Sequence, residues 1–378
     1  MRAAFNKKIF CTILVCIIFL CGCGKKETKT IIEFASWGSK SETDILKPLL
    51  SEFEQENPNI KVDFMHIPQN YFQKIHLLFA SNTAPDIIFI NNLYLPVYAN
   101  AGLLEELNAD GHFYPQPLEA LSWKGKLYAI PRDVSNLVIY YNKDLFNKKH
   151  IAYPDKNWTF EDFLTTAQKL TDKNTFGISF EEDPLFYLPY LMSSGGGILP
   201  DEISKPESQN AITFYADLRK KYHAAPLKSE SASATMAQMF LQQRIGMYLS
   251  GRWMVPKLRE EAEFDWDIAQ FPKGTKGSIV QLDASGWAVS KQSVHKNEAK
   301  KLIEFLSSKE SSEKFAQSGL IVPAREDAAN SAYFLDGKKP ENAKIFLDII
   351  KTSKPTPVTI DYREITDKLK KDTEARFN

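Results

Sequence analysis

"IIEFASWGSKSETDILKPLLSEFEQENPNIKVDFMHIPQNYFQKIHLLFASNTAPDIIFI", residues 31–90, alternates two kinds of segment. Ile31 to Ala35 is a short, mostly apolar run that breaks into Ser36-Trp37-Gly38-Ser39, as a buried strand entering a loop does. Ser41, with Asp44 three residues on, gives an N-cap signal, and Ile45, Leu46, Leu49, Leu50 and Phe53 then keep a helical period until Asn57-Pro58 stops it. Pro48 inside that run predicts a kink or a later start. Ile60, Val62 and Phe64 alternate as a strand, Tyr71 to Ala80 reads as a helix, and Pro85-Asp86 leads into the continuous apolar run Ile87 to Ile90. Strand, helix, strand, helix, strand at these lengths predicts right-handed βαβ units on a parallel sheet. Ligands on such sheets sit beyond the carboxyl ends of strands. That rule points at the loops carrying Trp37 to Lys40 and Asn91-Asn92.

A second α/β segment starts near Tyr140. In "NWTFEDFL", residues 157–164, Thr159 and Asp162 suit a helix cap, and Trp158 and Phe163 occupy the two staple positions, so Trp158 reads as structural. Gly195-Gly196-Gly197 lacks the Lys-Ser/Thr and the preceding strand of a phosphate loop and reads as a turn. Glu298 to Ser307 and Glu310 to Ser318 are amphipathic helices with Gly319 as a C-cap, and a last, mostly polar helix runs from about Arg363 to Arg376.

All four cysteines lie between Cys11 and Cys23, none in the following 355 residues. Arg2, Lys7 and Lys8 followed by the apolar run Ile9 to Leu20 read as an export signal, too short for the roughly 20 residues a spanning helix needs. Leu20-Cys21-Gly22-Cys23 resembles a bacterial lipobox, which makes residues 1–22 a signal peptide, Cys23 the lipidated first residue, and residues 23–30 a polar tether with lysines placed for anionic headgroups. Stability must then come from core burial rather than disulfides. Removing residues 1–22 takes three basic and no acidic residues from a chain with 47 of each, and the resulting net charge of −3 argues against nucleic acid as a partner. The length predicts two domains.

The stretches "FASWGS", "FEQENPNIKV", "APDIIFI", "AGLLEEL", "GKLYAIPRDVSNLVIYYNKDLFNK", "NWTFEDFLTTAQKLTDKNTFGI", "SSGGGIL", "RIGMYLSGRW", "FPKG", "ASGWAVS" and "EFLSSKESSEKFAQSGLIVPAR" occur in the order of a known family and span nearly all of the mature chain. The sequence resembles the extracellular solute-binding proteins of ATP-binding-cassette importers, in the sugar-binding, maltose-binding-type cluster. The resemblance implies an α/β, two-lobed periplasmic-binding-protein-like (class II) fold with a ligand cleft between the lobes and hinge closure. Crossings are expected near Asp133 to Asn136, near Ser285 and near Val322 to Arg325. One lobe would then comprise 31–133 plus 286–322, the other 137–284 plus 326–378. It further implies a monomer, held to the extracytoplasmic membrane face by the lipid on Cys23, that delivers a sugar to permease subunits, with no cofactor and no metal.

A sugar presents apolar C–H faces and a rim of hydroxyls, so its site needs aromatic plates and side chains that donate and accept. Trp37 lies in the first strand-to-helix loop, which lines the family's cleft, and Trp253 in "SGRWM" matches the family's cleft tryptophan. Trp287, beside the second crossing, stacks either on ligand or on the hinge; Trp123 and Trp266 read as structural. Ser39, Asn91, Asn92, Asp133 and Asp283 are the candidate hydrogen-bonding residues, with Ser285 beside Asp283, and Arg363 after Tyr362 corresponds loosely to a contact near the family's C-terminal helix. Residues 180–235 match the family least and yield no assigned contact. Two other readings remain. Lys40, Arg132, Arg252 and Arg363 would suit a glycerol-phosphate ligand, and a lipid-anchored glycoside hydrolase needs only two carboxylates at the correct separation. The six histidines form no metal-binding pattern and no G-x-S-x-G elbow occurs, so the residues favour a binder over an enzyme.

Overall fold

The computed structural model describes residues 29–231 and 233–378. The signal segment 1–22, Cys23 and most of the tether lie outside the described residues. The opening βαβαβ segment forms as the hydrophobic periods dictate: β1 (Thr30–Ser36), α1 (Lys40–Glu56), β2 (Ile60–His66), α2 (Tyr71–Ala80) and β3 (Ile87–Asn91). β1 pairs in parallel with β2 on one side and β3 on the other. The cap of α1 falls on Ser39 rather than Ser41: Gly38 turns the chain at φ +131°, and Ser39 and Glu42 then exchange the two hydrogen bonds of a capping box. The helix runs through Pro48 to Glu56, burying Leu46, Leu49, Leu50 and Phe53.

After α3 (Leu95–Asn100), a 13-residue strand, β4 (Ile130–Asn142), organises the rest of the molecule. α4 (Phe160–Leu170), β5 (Phe176–Ile178), α5 (Pro184–Ser194), α6 (Pro206–Lys220), β6 (Ile245–Gly251), α7 (Val255–Glu261) and β7 (Trp266–Ala269) follow it. Then come β8 (Gln281–Val289), α8 (Lys296–Leu306), α9 (Lys309–Gln317), β9 (Val322–Pro323), β10 (Lys354–Pro355) and α10 (Tyr362–Phe377). The main strand order is β2-β1-β3-β8-β4-β6-β5, with β7 and β9 also on β4 and β10 on β8.

β4 changes partners halfway. Ile130 to Asn136 pair with β8, whereas Leu137 to Tyr141 pair with β6 and Ile139 to Asn142 with β7. One continuous strand thus belongs to two sheets, each carrying its own helices, and the result is a two-lobed α/β molecule. At the change-over Val134 lies opposite both Ala284 and Val322, and Asp133 opposite Ser285 and Pro323, so three separate passes of the chain meet there.

The staple pair forms, with Trp158 and Phe163 rings 5.7 Å apart beside the Thr159–Asp162 capping box. Gly195 ends α5 with φ +88°, the left-handed turn that glycine adopts at least cost. α10 buries Leu369, Thr373 and Phe377, and Phe377 meets Phe180, Tyr187 and Tyr215 at 5.3–5.5 Å. Its polar appearance in sequence hides one large aromatic anchor.

Candidate ligand cleft

A cavity of about 800 Å³ opens between α2 and α3 on one side and the start of α10 on the other. The first wall is built by the helix period. Tyr71, Ile75 and Phe79, four residues apart, turn α2 onto the core. Phe72, His76 and Leu77 are left for the cavity. Phe72 stacks on Tyr94 with centroids 3.7 Å apart and planes 11° from parallel, and both rings line the space. The second wall carries Ile360, Tyr362 and Arg363, together with Asp361, Glu364, Asp367 and Lys370. Burial pushes the Tyr362 phenol above its ordinary pKa, and the nearby carboxylates of Asp283 and Asp183 add to that, so the hydroxyl stays neutral and both donates and accepts.

Each basic side chain of this wall has an acidic neighbour. Lys370 meets Asp183 at 2.7 Å, and Arg363 stands 3.9 Å from Asp367, both pairs being well exposed. An aromatic surface of stacked rings facing short-range donors and acceptors of both signs suits a neutral, polyhydroxylated guest better than a highly charged one.

The structure separates the nine ligand-binding positions expected from sequence. Arg363 alone among them lines this cavity. Trp37 is half-buried and supports the wall from behind, its ring 5.3 Å from Phe72 and 4.3 Å from Phe89. Trp253 is 38 % exposed in a turn of 3₁₀ helix, Arg252–Met254, directly after β6. Its ring lies over Gly251, where an added Cβ would sit 2.0 Å from a ring carbon. Gly251 pairs with Leu137, so this tryptophan stands beside the change-over of β4.

The remaining positions make structural contacts, and the buried ones among them have little or no surface left for a ligand. Trp287 is fully buried, wedged between Phe34 at 5.3 Å and Phe89 at 4.6 Å, and has no face open to a ligand. Asn92 is fully buried too: its amide donates to Asp283 at 3.0 Å and accepts from the Ala284 N–H at 3.0 Å. Asp283 also accepts from the Thr356 hydroxyl at 2.6 Å, which makes it the centre of a buried polar knot tying three chain segments together. Burial raises its pKa, an effect that the two donors oppose. Asp133 accepts from Arg132 at 2.5 Å inside a nearly closed pocket. Ser39 accepts from the Glu42 N–H as the cap of α1, and Asn91 accepts from the Tyr94 N–H at 3.2 Å in the turn after β3.

Sequence reasoning missed Phe72, Leu77, Tyr94 and Ile360. One signal was legible: on α2 the stripe Tyr71, Ile75, Phe79 already faces the core, so the exposed Leu77 is apolar without a core to serve.

The two sheets sharing β4 and the cavity flanked by both define a two-lobed, cleft-bearing protein of the periplasmic-binding type. The chain belongs to the bacterial extracellular solute-binding protein family, whose model matches residues 39–313. It is similar to an ABC substrate-binding protein of Listeria monocytogenes solved in complex with cycloalternan, at 28 % identity and TM-score 0.83, covering 93 % of this chain and 94 % of that one. It also resembles the galactooligosaccharide-binding protein of Bacillus subtilis (strain 168), 23 % identical over 97 % of this chain and 90 % of the relative. The fold matches the sugar-binding protein MalE of Xanthomonas citri with TM-score 0.80 at 22 % identity, over 92 % of each chain.

Proposed function

We propose that this protein is the extracytoplasmic binding subunit of an ABC importer, that it takes a neutral sugar or oligosaccharide into the cleft between its lobes, and that it delivers the sugar unchanged to a membrane permease. The observation that carries this reading is the cavity wall, where the Phe72–Tyr94 stack offers a flat apolar surface opposite a row of polar side chains on α10. The ligands named for the Listeria and Bacillus relatives, cycloalternan and galactooligosaccharide, support it. The lobes would divide at 31–133 plus 286–322 and 137–284 plus 326–378, and closure about the shared strands would present one shape to the permease. Export through the signal segment 1–22 and a lipid on Cys23 would hold the subunit at the outer face of the cell membrane.

The phosphate-ligand alternative loses most of its support. Of the four cations that suggested it, Lys40 is exposed and paired with Asp44, Arg132 is buried against Asp133 and Glu42, and Arg252 is buried and donates to the Gly319 carbonyl. Only Arg363 reaches the cavity. A glycosidase flanks the scissile bond with two carboxylates. The cavity's Asp361, Glu364 and Asp367 all stand on one wall.

Thermal-shift and calorimetric titration of protein lacking residues 1–23 tests the proposal. Neutral oligosaccharides should raise the melting temperature and be recovered intact, while glycerol phosphates leave it unchanged. Shortened sugar in the recovered fraction, or no response to any carbohydrate, overturns it.

A further inference from the structure

The cavity is large, and its apolar groups reach further than the ring stack. At about 800 Å³ it lies in the upper part of the range for small-molecule sites, roughly 300–1,000 Å³. Eight large hydrophobic side chains are exposed among the described residues, and two of them, Leu77 at 64 % and Ile360 at 54 %, line this one cavity from opposite walls. Neither serves the core. Leu77 lies off the Tyr71–Ile75–Phe79 stripe, and Ile360 precedes a helix whose buried anchors are Leu369, Thr373 and Phe377. Exposed apolar surface on both sides of a binding cavity is unfavourable until something covers it.

Distance along α2 indicates what covers it. Five residues separate Phe72 from Leu77, a rise of about 7.5 Å along the helix axis, which is more than one sugar ring spans. A ring lying on the Phe72–Tyr94 stack therefore leaves Leu77 bare, and a second or third linked ring reaches it. Asp361, Arg363 and Glu364 follow Ile360 directly and can take the hydroxyl rim of such a ring while the two aliphatic side chains take its C–H faces.

Resting on the sugar reading above, we propose that Leu77 and Ile360 form an outer subsite that grips the distal unit of a neutral oligosaccharide, so that the protein selects chains of three or more units over shorter ones. The probes are neutral α-linked gluco-oligosaccharides and β-linked galacto-oligosaccharides of two to five units, titrated calorimetrically into the wild type, Leu77→Asn, Ile360→Asn and Leu77→Met. Both side chains are exposed, so unchanged circular dichroism and urea midpoints are expected for all variants. Wild-type affinity should rise from two units to three or more. In each Asn variant the ratio of long-chain to two-unit affinity should fall about tenfold, the size expected when one apolar contact is lost, and Leu77→Met should keep the wild-type ratio. A wild type that binds sugar with no dependence on length, or Asn variants that keep the wild-type ratio, overturns the outer subsite and leaves the sugar reading standing. A wild type that binds no member of either series overturns the sugar reading and the subsite with it.

Discussion

Single residues in this protein divide by what they have left to offer once folding is complete. Trp253 keeps more than a third of its surface exposed and fills the space beside Gly251, which has no side chain to displace it. If that ring stacks on sugar, Trp253→Ala should weaken binding by about 1–3 kcal/mol, the value of covering a large apolar face, with little change in the urea midpoint. Gly251→Ala should reproduce part of the loss by pushing the ring off its seat, and calorimetry on the two variants would separate contact from placement. Asp283 is the opposite case, a carboxylate consumed by the fold. Its pKa is raised above 3.8 by burial, so the folded state holds its proton more tightly than the unfolded chain does. Its contribution to stability is therefore greatest at low pH and is lost as pH rises through the folded pKa. Asp283→Asn cannot ionise yet still accepts from Asn92 and Thr356. The stability difference, variant minus wild type, should grow in the variant's favour as pH rises from about 4 through the raised folded pKa in urea titrations. A difference that is flat with pH would mean that the carboxylate is charged at no cost.

Elements were far more legible than side-chain roles, because periodicity is a local property and ligand exposure is not. The strand and helix segments of residues 31–90 appear within a residue or two of their expected limits wherever the hydrophobic period was clear. The misplaced start of α1 has a specific cause. Ser39 with Glu42 and Ser41 with Asp44 are overlapping cap signals, and the first prevails because Gly38 at φ +131° makes the turn immediately before it. The α4 cap had no rival, and the structure has it at Thr159. Thr159→Ala should cost about 1 kcal/mol in urea unfolding, since it removes the acceptor for the Asp162 N–H. Asn91 and Asn92 illustrate what sequence could not resolve. Consecutive residues at a strand end point to opposite faces, and only the path of β8, nearly 200 residues later, determines that Asn92 meets Asp283 and Ala284. Trp287 stayed open between two roles for the same reason: beside a crossing, a tryptophan that packs on Phe34 and Phe89 reads in sequence like one that stacks on ligand.

The whole molecule turns on the fact that β4 serves two sheets. If one lobe moves against the other as proposed, the segments that meet around Val134, Ala284 and Val322, where β4, β8 and β9 lie side by side next to the change of partners in β4, are where we expect the movement to be absorbed. The register between β4 and β8 shifts at Ser285/Gly286, which lets the two strands bend at the point where they cross. Gly286 is packed tightly there, and a Cβ on it would stand 2.2 Å from the Ile130 carbonyl oxygen. Gly286→Ala must push β8 away from β4 and should destabilise the protein by about 1–3 kcal/mol, the usual range for overpacking, as read from the urea midpoint. It should also act on closure. Small-angle scattering of the wild type should give a smaller radius of gyration with a bound oligosaccharide than without, and the variant should show a reduced change at equal saturation, because the joint no longer flexes along its native path. A variant that loses stability while the full ligand-dependent compaction persists would place the bending elsewhere in the crossing segments.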